Sequence, residues 1–133
     1  MRLVLDSSVL IAAAISRAGV CAELLEDVLT HHEMIASAFI VNEVTEKLHD
    51  KFKFTAADCN ELRRFLNATA TMVQPTKLDP RSCRDPENIP VLGTAVAGAA
   101  DFLVSGDKDL LDLGNFQIIA TIKPGEFWRR TTG

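Results

Sequence analysis

A carboxylate directly follows the first apolar run of the chain, where residues 3–5 (Leu-Val-Leu) end at Asp6. A second apolar run, residues 102–104 (Phe-Leu-Val), is followed three residues later by Asp107. Short apolar runs of this kind are typical of buried parallel strands, whose carboxyl ends meet at the edge where α/β folds bind ligands. If the two strands are neighbours, their carboxylates converge. The sequence therefore predicts an α/β fold with a divalent-metal site at that edge.

Length and composition bound the domain organisation and the partners. The chain has 133 residues, 47% of them hydrophobic, which predicts a single domain over residues 1–133. The formal net charge of −4 means that nucleic-acid binding must depend on local basic groups, for example Lys51 with Lys53 or Arg63 with Arg64. Pairs of this kind are more often solvated surface residues. The absence of Tyr and the single Trp disfavour a pure single-strand-binding module with an aromatic stacking platform.

Neither cysteines nor apolar stretches point to an exported or membrane protein. Three widely spaced cysteines without a C-x-x-C pair make a disulfide framework or a zinc cage improbable. The first apolar stretch is interrupted by Asp6, and no run approaches the roughly 18 apolar residues of a membrane span. We therefore expect a cytoplasmic protein without a membrane partner.

Helical and strand-like patterns alternate along the chain, which indicates parallel strands joined by helical crossovers. Ser7 or Ser8 can cap a first helix that runs toward Gly19. A capping-box pattern from Thr55 to Asp58 predicts another helix start, with Phe65 among the inward residues. The remaining segments are predicted as helices over 20–31 and from Ser37 to about Asp50, strands over 34–36, 71–73, 102–104 and 116–120, a loop over 75–90 and a helix over 91–100.

A third acid can reach the predicted crevice from the helix that follows Ser37. The apolar residues of this helix form one stripe, and at about 100° per residue Glu43 lies beside that stripe while Glu46 lies nearly opposite it. Glu43 is therefore the candidate of the two. The alternative for Glu43 is an ordinary surface acid that pairs with Lys47 at i+4.

The other acids also have ordinary structural alternatives. Asp6 is a suitable N-cap residue or ion-paired structural acid, and Asp107 can cap the turn that follows it. Asp109 fits a turn residue on the solvent side. Ser8 and Ser105 each lie two residues from one of the first two acids, where a hydroxyl can orient a carboxylate or serve as a plain turn residue.

Four blocks of the sequence resemble the successive motifs of the PIN-domain ribonucleases. They are residues 3–10 (LVLDSSVL), 42–44 (NEV), 84–92 (RDPENIPVL) and 100–111 (ADFLVSGDKDLL). The last block is similar to the branch that supplies the toxins of toxin–antitoxin pairs, related to the VapC-type toxins. The resemblance implies a three-layer α/β/α sandwich with a central parallel sheet of four to five strands. It also implies Mg²⁺- or Mn²⁺-dependent cleavage of single-stranded or structured RNA, a homodimer and a small antitoxin that covers the acidic crevice.

The resemblance assigns roles to individual residues. It implies metal-site acids at Asp6, Glu43 and Asp107, with Ser105 as the accompanying hydroxyl and Asp109 as a further candidate. Asn88 stands where the family usually has another metal-site acid. Asn88 can offer a neutral carbonyl oxygen to the metal, or it can cap the helix that follows.

Two expectations follow from this site. Acids only a few ångströms apart repel one another without a metal, so at least one should have a raised pKa. The third metal-site acid of the family is missing at Asn88, and Asp85 or Glu87 is the alternative acid that can reach the site in its place. The alternative function is a catalytically weakened domain of this type that binds RNA or a protein partner.

Overall fold

The fold is built on a mostly parallel sheet that runs through the middle of the protein. The computed structural model describes residues 1–131, so the expected domain boundary at Gly133 lies outside the described residues. Over this range the sheet has six strands in the order β3-β2-β1-β4-β6-β5, and only the β5–β6 pair is antiparallel. The strands are β1 (Arg2–Leu5), β2 (Glu33–Ala36), β3 (Thr71–Met72), β4 (Phe102–Val104), β5 (Asn115–Phe116) and β6 (Ile119–Ile122).

Helices cover the sheet and complete the expected three-layer α/β/α sandwich. They are α1 (Ser7–Ile15), α2 (Val20–His31), α3 (Ala38–Phe52), α4 (Ala56–Thr69), α5 (Ile89–Ala97), α6 (Lys108–Leu111) and α7 (Phe127–Thr131). No single helix within residues 1–131 is long and apolar enough to cross a membrane. Joined together, α1 and α2 reach the required length and composition, but they are bent by 108°.

Local capping signals determine where several helices begin. Ser37 accepts a hydrogen bond from the backbone N–H of Ile40 and starts α3. Thr55 and Asp58 form the reciprocal capping box that their spacing predicts. The prediction for α1 was wrong in detail, because Asp6 caps this helix in place of a serine.

The two central strands place the acids that follow them side by side. Strands β1 and β4 are buried neighbours, and their parallel register pairs Leu5 with Val104. The backbone N–H of Asp6 continues the ladder by donating to the carbonyl of Val104 over 3.0 Å. Asp6 and Ser105 therefore leave the sheet at the same edge.

Two predicted features differ from the structure. The single strand expected over 116–120 is a hairpin of β5 and β6, because Gln117 adopts a left-handed φ of 56° and turns the chain. Phe65 was expected to point inward, but it is 42% exposed on the outer side of α4. Leu66, its neighbour on that helix, is buried.

Candidate active site

A cleft of about 390 Å³ opens at the carboxyl ends of β1 and β4. It brings together side chains from α1, α3, the segment before α5 and the segment after β4. Four of the residues expected at a metal site line it. The lining residues are Asp6, Ser7, Ser8, Ile11, Glu43, Lys47, Lys51, Phe52, Asp85, Glu87, Asn88 and Asp107.

Asp6 is the most buried acid of the cleft, with 4% of its surface exposed. Its Oδ1 accepts hydrogen bonds from the hydroxyl of Ser8 over 2.5 Å and from the backbone N–H of Val9 over 3.2 Å. Its Oδ2 accepts from the hydroxyl of Ser105. Within residues 1–131 these donors are all uncharged, and no basic side chain forms an ion pair with Asp6.

Burial raises the pKa of Asp6 above its ordinary value. The hydroxyls of Ser105 and Ser8 and the N–H of Val9 oppose this rise because they stabilise the charged form, and the charge of Asp107 adds to it. One raised pKa was expected from repulsion between acids. The rise is present, but removal of water from Asp6 is its largest cause.

Ser105 connects the two acids that follow the central strands. Its hydroxyl is completely buried, donates to Asp6 and accepts from the backbone N–H of Asp107 over 2.9 Å. Oδ1 of Asp107 accepts from the backbone N–H groups of Asp109 and Leu110 over 2.8 and 3.4 Å, which caps α6. The capping alternatives for Asp6 and Asp107 are thus geometrically correct, and both residues line the cleft as well.

Glu43 enters the cleft from α3 and is held by two neighbours. The hydroxyl of Ser7 donates to its Oε1, and the ammonium of Lys47 lies 3.9 Å from its Oε2. The i+4 ion pair of Glu43 with Lys47, which is the alternative to a site role for Glu43, lies within the site. Ser7 was not predicted as a site residue, because its contact with Glu43 depends on how α1 packs against α3.

Asn88 points into the cleft and does not cap α5. It is 8% exposed, and its amide nitrogen donates to Oδ1 of Asp107 over 3.2 Å. Its side chain makes no capping hydrogen bond to α5, although Asn88 precedes that helix. The side chain of Asn88 therefore faces Asp107, and a carboxylate in the place of the amide would repel the carboxylate of Asp107.

The remaining acids lie around this arrangement in different ways. Asp85 and Glu87 line the cleft, and Asp85 also caps the short 3₁₀ turn Pro86–Asn88 by accepting from the N–H of Glu87 over 3.0 Å. Asp109 contributes its backbone N–H to Asp107, but its side chain does not line the cleft. Of the residues considered for the metal, Asp109 is the one that the structure leaves outside.

The cleft offers oxygen ligands, but they are spread around its walls. Within the described part of the chain, no three His, Cys, Asp or Glu side chains stand close enough together to hold one metal ion as a group. The donors are nevertheless of one kind, namely carboxylate, amide and hydroxyl oxygens. Such donors suit hard cations such as Mg²⁺ and Mn²⁺ and not soft metals.

Comparisons with known proteins agree with the fold. The PIN domain family model matches residues 2–109. The fold is similar to a structure of VapBC2 from Rickettsia felis bound to a DNA fragment from its promoter, with a TM-score of 0.63 and 11% identity. It is also similar to FitAcB from Neisseria gonorrhoeae, with a TM-score of 0.55 and 12% identity. Each alignment covers 92% of this chain and 98% of the other. No curated protein matches the sequence. Because the PIN domain model covers most of this chain, the chain belongs to the PIN-domain family.

Proposed function

We propose that this protein is a divalent-metal-dependent endoribonuclease and the toxin of a toxin–antitoxin pair. The observation that carries the proposal is the link from Asp6 through the Ser105 hydroxyl to Asp107 in a cleft that also contains Glu43. The two acids follow neighbouring strands and cap α1 and α6, but capping alone does not require that they share a cleft with Glu43. They suit hydrolysis of a phosphodiester, which requires an activated water and neutralised phosphate charge.

The ligand chemistry of the cleft fits Mg²⁺ or Mn²⁺. Asp6, Glu43 and Asp107 would hold the ion with the carbonyl oxygen of Asn88. Because Mg²⁺ keeps several of its waters, it needs few direct protein ligands, and dispersed acids can still serve it. When bound, the ion would lower the pKa of a water and neutralise charge on the phosphate.

The hydroxyls of the cleft position the acids. Ser105 and Ser8 each hold one oxygen of Asp6, while Ser7 holds Oε1 of Glu43. Fixed carboxylates lose little freedom when they bind a cation, so these hydroxyls pre-organise the site. Lys47 lies close enough to Glu43 to limit its movement, and it adds a positive charge to an acidic wall.

Cleavage of a mixed RNA pool by the purified protein tests this function. We expect cutting with Mg²⁺ or Mn²⁺ and none with excess chelator. Asp107→Asn should remove activity, since it deletes a charge of the metal site. Asp112→Asn is the matched control, because Asp112 is an exposed acid that pairs with Lys108 and does not line the cleft. Equal activity of wild type and Asp107→Asn would reject the assignment.

A second candidate function is a catalytically weakened domain that binds RNA or a protein partner. The hydrogen bond from Asn88 to Asp107 favours it, because a neutral amide occupies a place where the family usually has an acid. RNA binding and RNA cleavage measured side by side over a range of Mg²⁺ or Mn²⁺ concentrations separate the two functions. Binding of RNA without cutting at any Mg²⁺ or Mn²⁺ concentration would support the weakened domain.

The proposed partners are a small antitoxin and a second copy of this chain. One similar structure is that of VapBC2, and this similarity supports an antitoxin partner here as well. Phe65, 42% exposed, lies between two surface grooves of about 620 and 270 Å³ on the outer side of α1, α2 and α4. The resemblance implies an antitoxin that covers the acidic crevice, and we propose that it also contacts this surface around Phe65. The homodimer rests on the family resemblance, and light scattering of the purified protein tests it.

A variant of Phe65 tests the antitoxin surface. Phe65→Glu should prevent complex formation with the co-expressed antitoxin, while RNA cleavage continues. Ile118→Glu serves as the control because Ile118 is 90% exposed and lines neither groove. A Phe65→Glu protein that still forms the complex would place the antitoxin elsewhere.

A further inference from the structure

Lys47 brings a positive charge into direct contact with the acids of the cleft. Within residues 1–131 it is the only basic side chain that forms an ion pair with an acid lining the cleft. Its ammonium lies 3.9 Å from Oε2 of Glu43, whose other oxygen accepts from the hydroxyl of Ser7. The chain itself therefore places a cation beside one of the three acids assigned to the metal.

The charges at the centre of the cleft balance with one divalent ion. Asp6, Glu43 and Asp107 carry three negative charges when all three are ionised. One divalent ion and the ammonium of Lys47 carry three positive charges. A second divalent ion would add two positive charges, and Asn88 contributes no negative charge to offset them. Uncompensated charge is costly in a partly buried site, so this set of side chains favours a single ion.

The two remaining acids of the cleft change this balance little. Glu87 is exposed to water, and Asp85 accepts a hydrogen bond from the backbone N–H of Glu87 to cap a 3₁₀ turn. Water and salt screen exposed charges, so these acids act more weakly on an ion than the buried Asp6 does.

The hydrogen bonds of Asp107 also leave room for one ion. Its Oδ1 accepts from three N–H groups, those of Asn88, Asp109 and Leu110, although an oxygen has two lone pairs. Its Oδ2 accepts no hydrogen bond from the described part of the chain. In two-metal sites the ions stand about 4 Å apart, and a carboxylate that bridges them offers one oxygen to each. Asp107 has only Oδ2 to offer.

An ammonium can supply part of what a second ion supplies. Hydrolysis of a phosphodiester requires positive charge near the attacking water and near the phosphate oxygens, where negative charge develops. A lysine is a compact charge on a flexible stem, and it stabilises phosphate oxygens although it does not activate water. The side chain of Lys47 is 41% exposed and lines both the acidic cleft and a neighbouring cleft of about 610 Å³. Its ammonium is thus accessible to a phosphate.

We infer that Lys47 takes the place of a second metal ion, so that the cleft holds one divalent ion and Lys47 supplies the further positive charge for the phosphate. This inference rests on the proposed nuclease function and assigns it a further residue. It predicts two effects of opposite direction. The ammonium repels a divalent ion and weakens its binding, but it stabilises the phosphate and speeds cleavage. A lysine that only held Glu43 in place would not have both effects.

Titration with Mn²⁺, followed by electron paramagnetic resonance of the free ion, tests the first effect without RNA. Wild type should bind one Mn²⁺ per chain. Lys47→Met keeps most of the length of the side chain without its charge, and it should bind Mn²⁺ about tenfold more tightly. Lys47→Arg restores the charge and should return the affinity to that of wild type. Lys77→Met is the control, because Lys77 is exposed and lines neither cleft.

Cleavage of RNA at saturating Mn²⁺ tests the second effect. Lys47→Met should cut about a hundredfold more slowly than wild type, although its ion is bound more tightly. Lys47→Arg should recover most of the rate, and Lys77→Met should cut as fast as wild type.

The outcomes separate this inference from the proposed function. If wild type cuts RNA, then two Mn²⁺ per wild-type chain, or unchanged Mn²⁺ affinity or unchanged cleavage in Lys47→Met, would overturn the role of Lys47 and keep the nuclease. If wild type never cuts RNA but binds one Mn²⁺, and Lys47→Met binds it more tightly, the nuclease is rejected and the single-ion site with its lysine stands. A wild type that binds no Mn²⁺ would reject both.

Discussion

The amide nitrogen of Asn88 donates a hydrogen bond to Oδ1 of Asp107 over 3.2 Å. An acid in place of Asn88 could not make this bond when ionised, and its charge would repel Asp107. The amide therefore stabilises the metal-free cleft. If the cleft binds a cation as proposed, an amide in place of a carboxylate lowers the negative charge available to that cation by one unit.

Asn88→Asp should shift this balance toward the metal. Without divalent ions, the variant should be less stable than wild type by about 1 kcal/mol, because it loses the hydrogen bond and gains repulsion. Mg²⁺ or Mn²⁺ should bind it more tightly, raise its melting temperature more and increase RNA cleavage. Calorimetric metal titration and thermal unfolding measure these effects.

Asn88→Ala provides the control for that comparison. It removes the hydrogen bond without adding charge, so stability should fall while metal affinity stays low. If wild type and Asn88→Asp bind Mg²⁺ with the same affinity, the site is not impaired by its amide.

The raised pKa of Asp6 predicts how stability depends on pH in the absence of metal. The folded protein holds the Asp6 proton more tightly than the unfolded chain, whose carboxyl has the ordinary value of 3.8. Ionisation of Asp6 therefore costs stability as the pH rises from about 3.8 through the higher folded pKa. Asp6→Asn removes this cost and retains a good N-cap residue.

Denaturant unfolding of wild type and Asp6→Asn in chelator checks this dependence. The difference in the free energy of unfolding should move in favour of Asp6→Asn across that pH range and level off above it. A difference that is the same at every pH would mean that burial of Asp6 does not perturb its titration.

The strand-end acids were predictable because their signal is local. Asp6 follows an apolar run in the sequence, and a parallel sheet places such positions at a common edge. The unusual Asn88 was also visible in the motif around it. The hydrogen-bond partner of Glu43 was not predictable from the sequence. Ser7 lies 36 residues away and contacts Glu43 only because α1 packs on α3.

Other differences arise where tertiary structure overrides a local pattern. The β5–β6 turn depends on a positive φ at Gln117, and a glutamine in the sequence does not indicate that conformation. The composition disfavoured an aromatic stacking platform, and Phe52 is the one aromatic residue that lines the acidic cleft within residues 1–131.

Ser105→Ala should damage the site without removing a metal ligand. The substitution leaves Oδ2 of Asp6 and the backbone N–H of Asp107 without their buried partner. Stability should fall by about 1 to 3 kcal/mol, and cleavage should fall as the two acids lose their common anchor. Ser8→Ala is the matched comparison, because Ser8 also donates to Asp6 but is exposed to water. An effect of Ser8→Ala as large as that of Ser105→Ala would contradict the role of the buried hydroxyl.

Gly93→Ala should disturb the site from a distance through backbone packing. A Cβ at Gly93 would lie 2.4 Å from the carbonyl oxygen of Thr76. The backbone N–H of Thr76 donates a hydrogen bond to the carbonyl oxygen of Gly93 over 2.9 Å. Because backbone atoms cannot rotate away, α5 must shift, and Asn88 immediately precedes that helix. We expect a loss of about 2 kcal/mol in the free energy of unfolding and weaker cleavage. Gly125→Ala should change neither, since nothing lies within 4 Å of a Cβ there. Chemical denaturation of wild type and both variants measures this difference in the free energy of unfolding. A Gly93→Ala protein as stable as Gly125→Ala would show that α5 is not held by this contact.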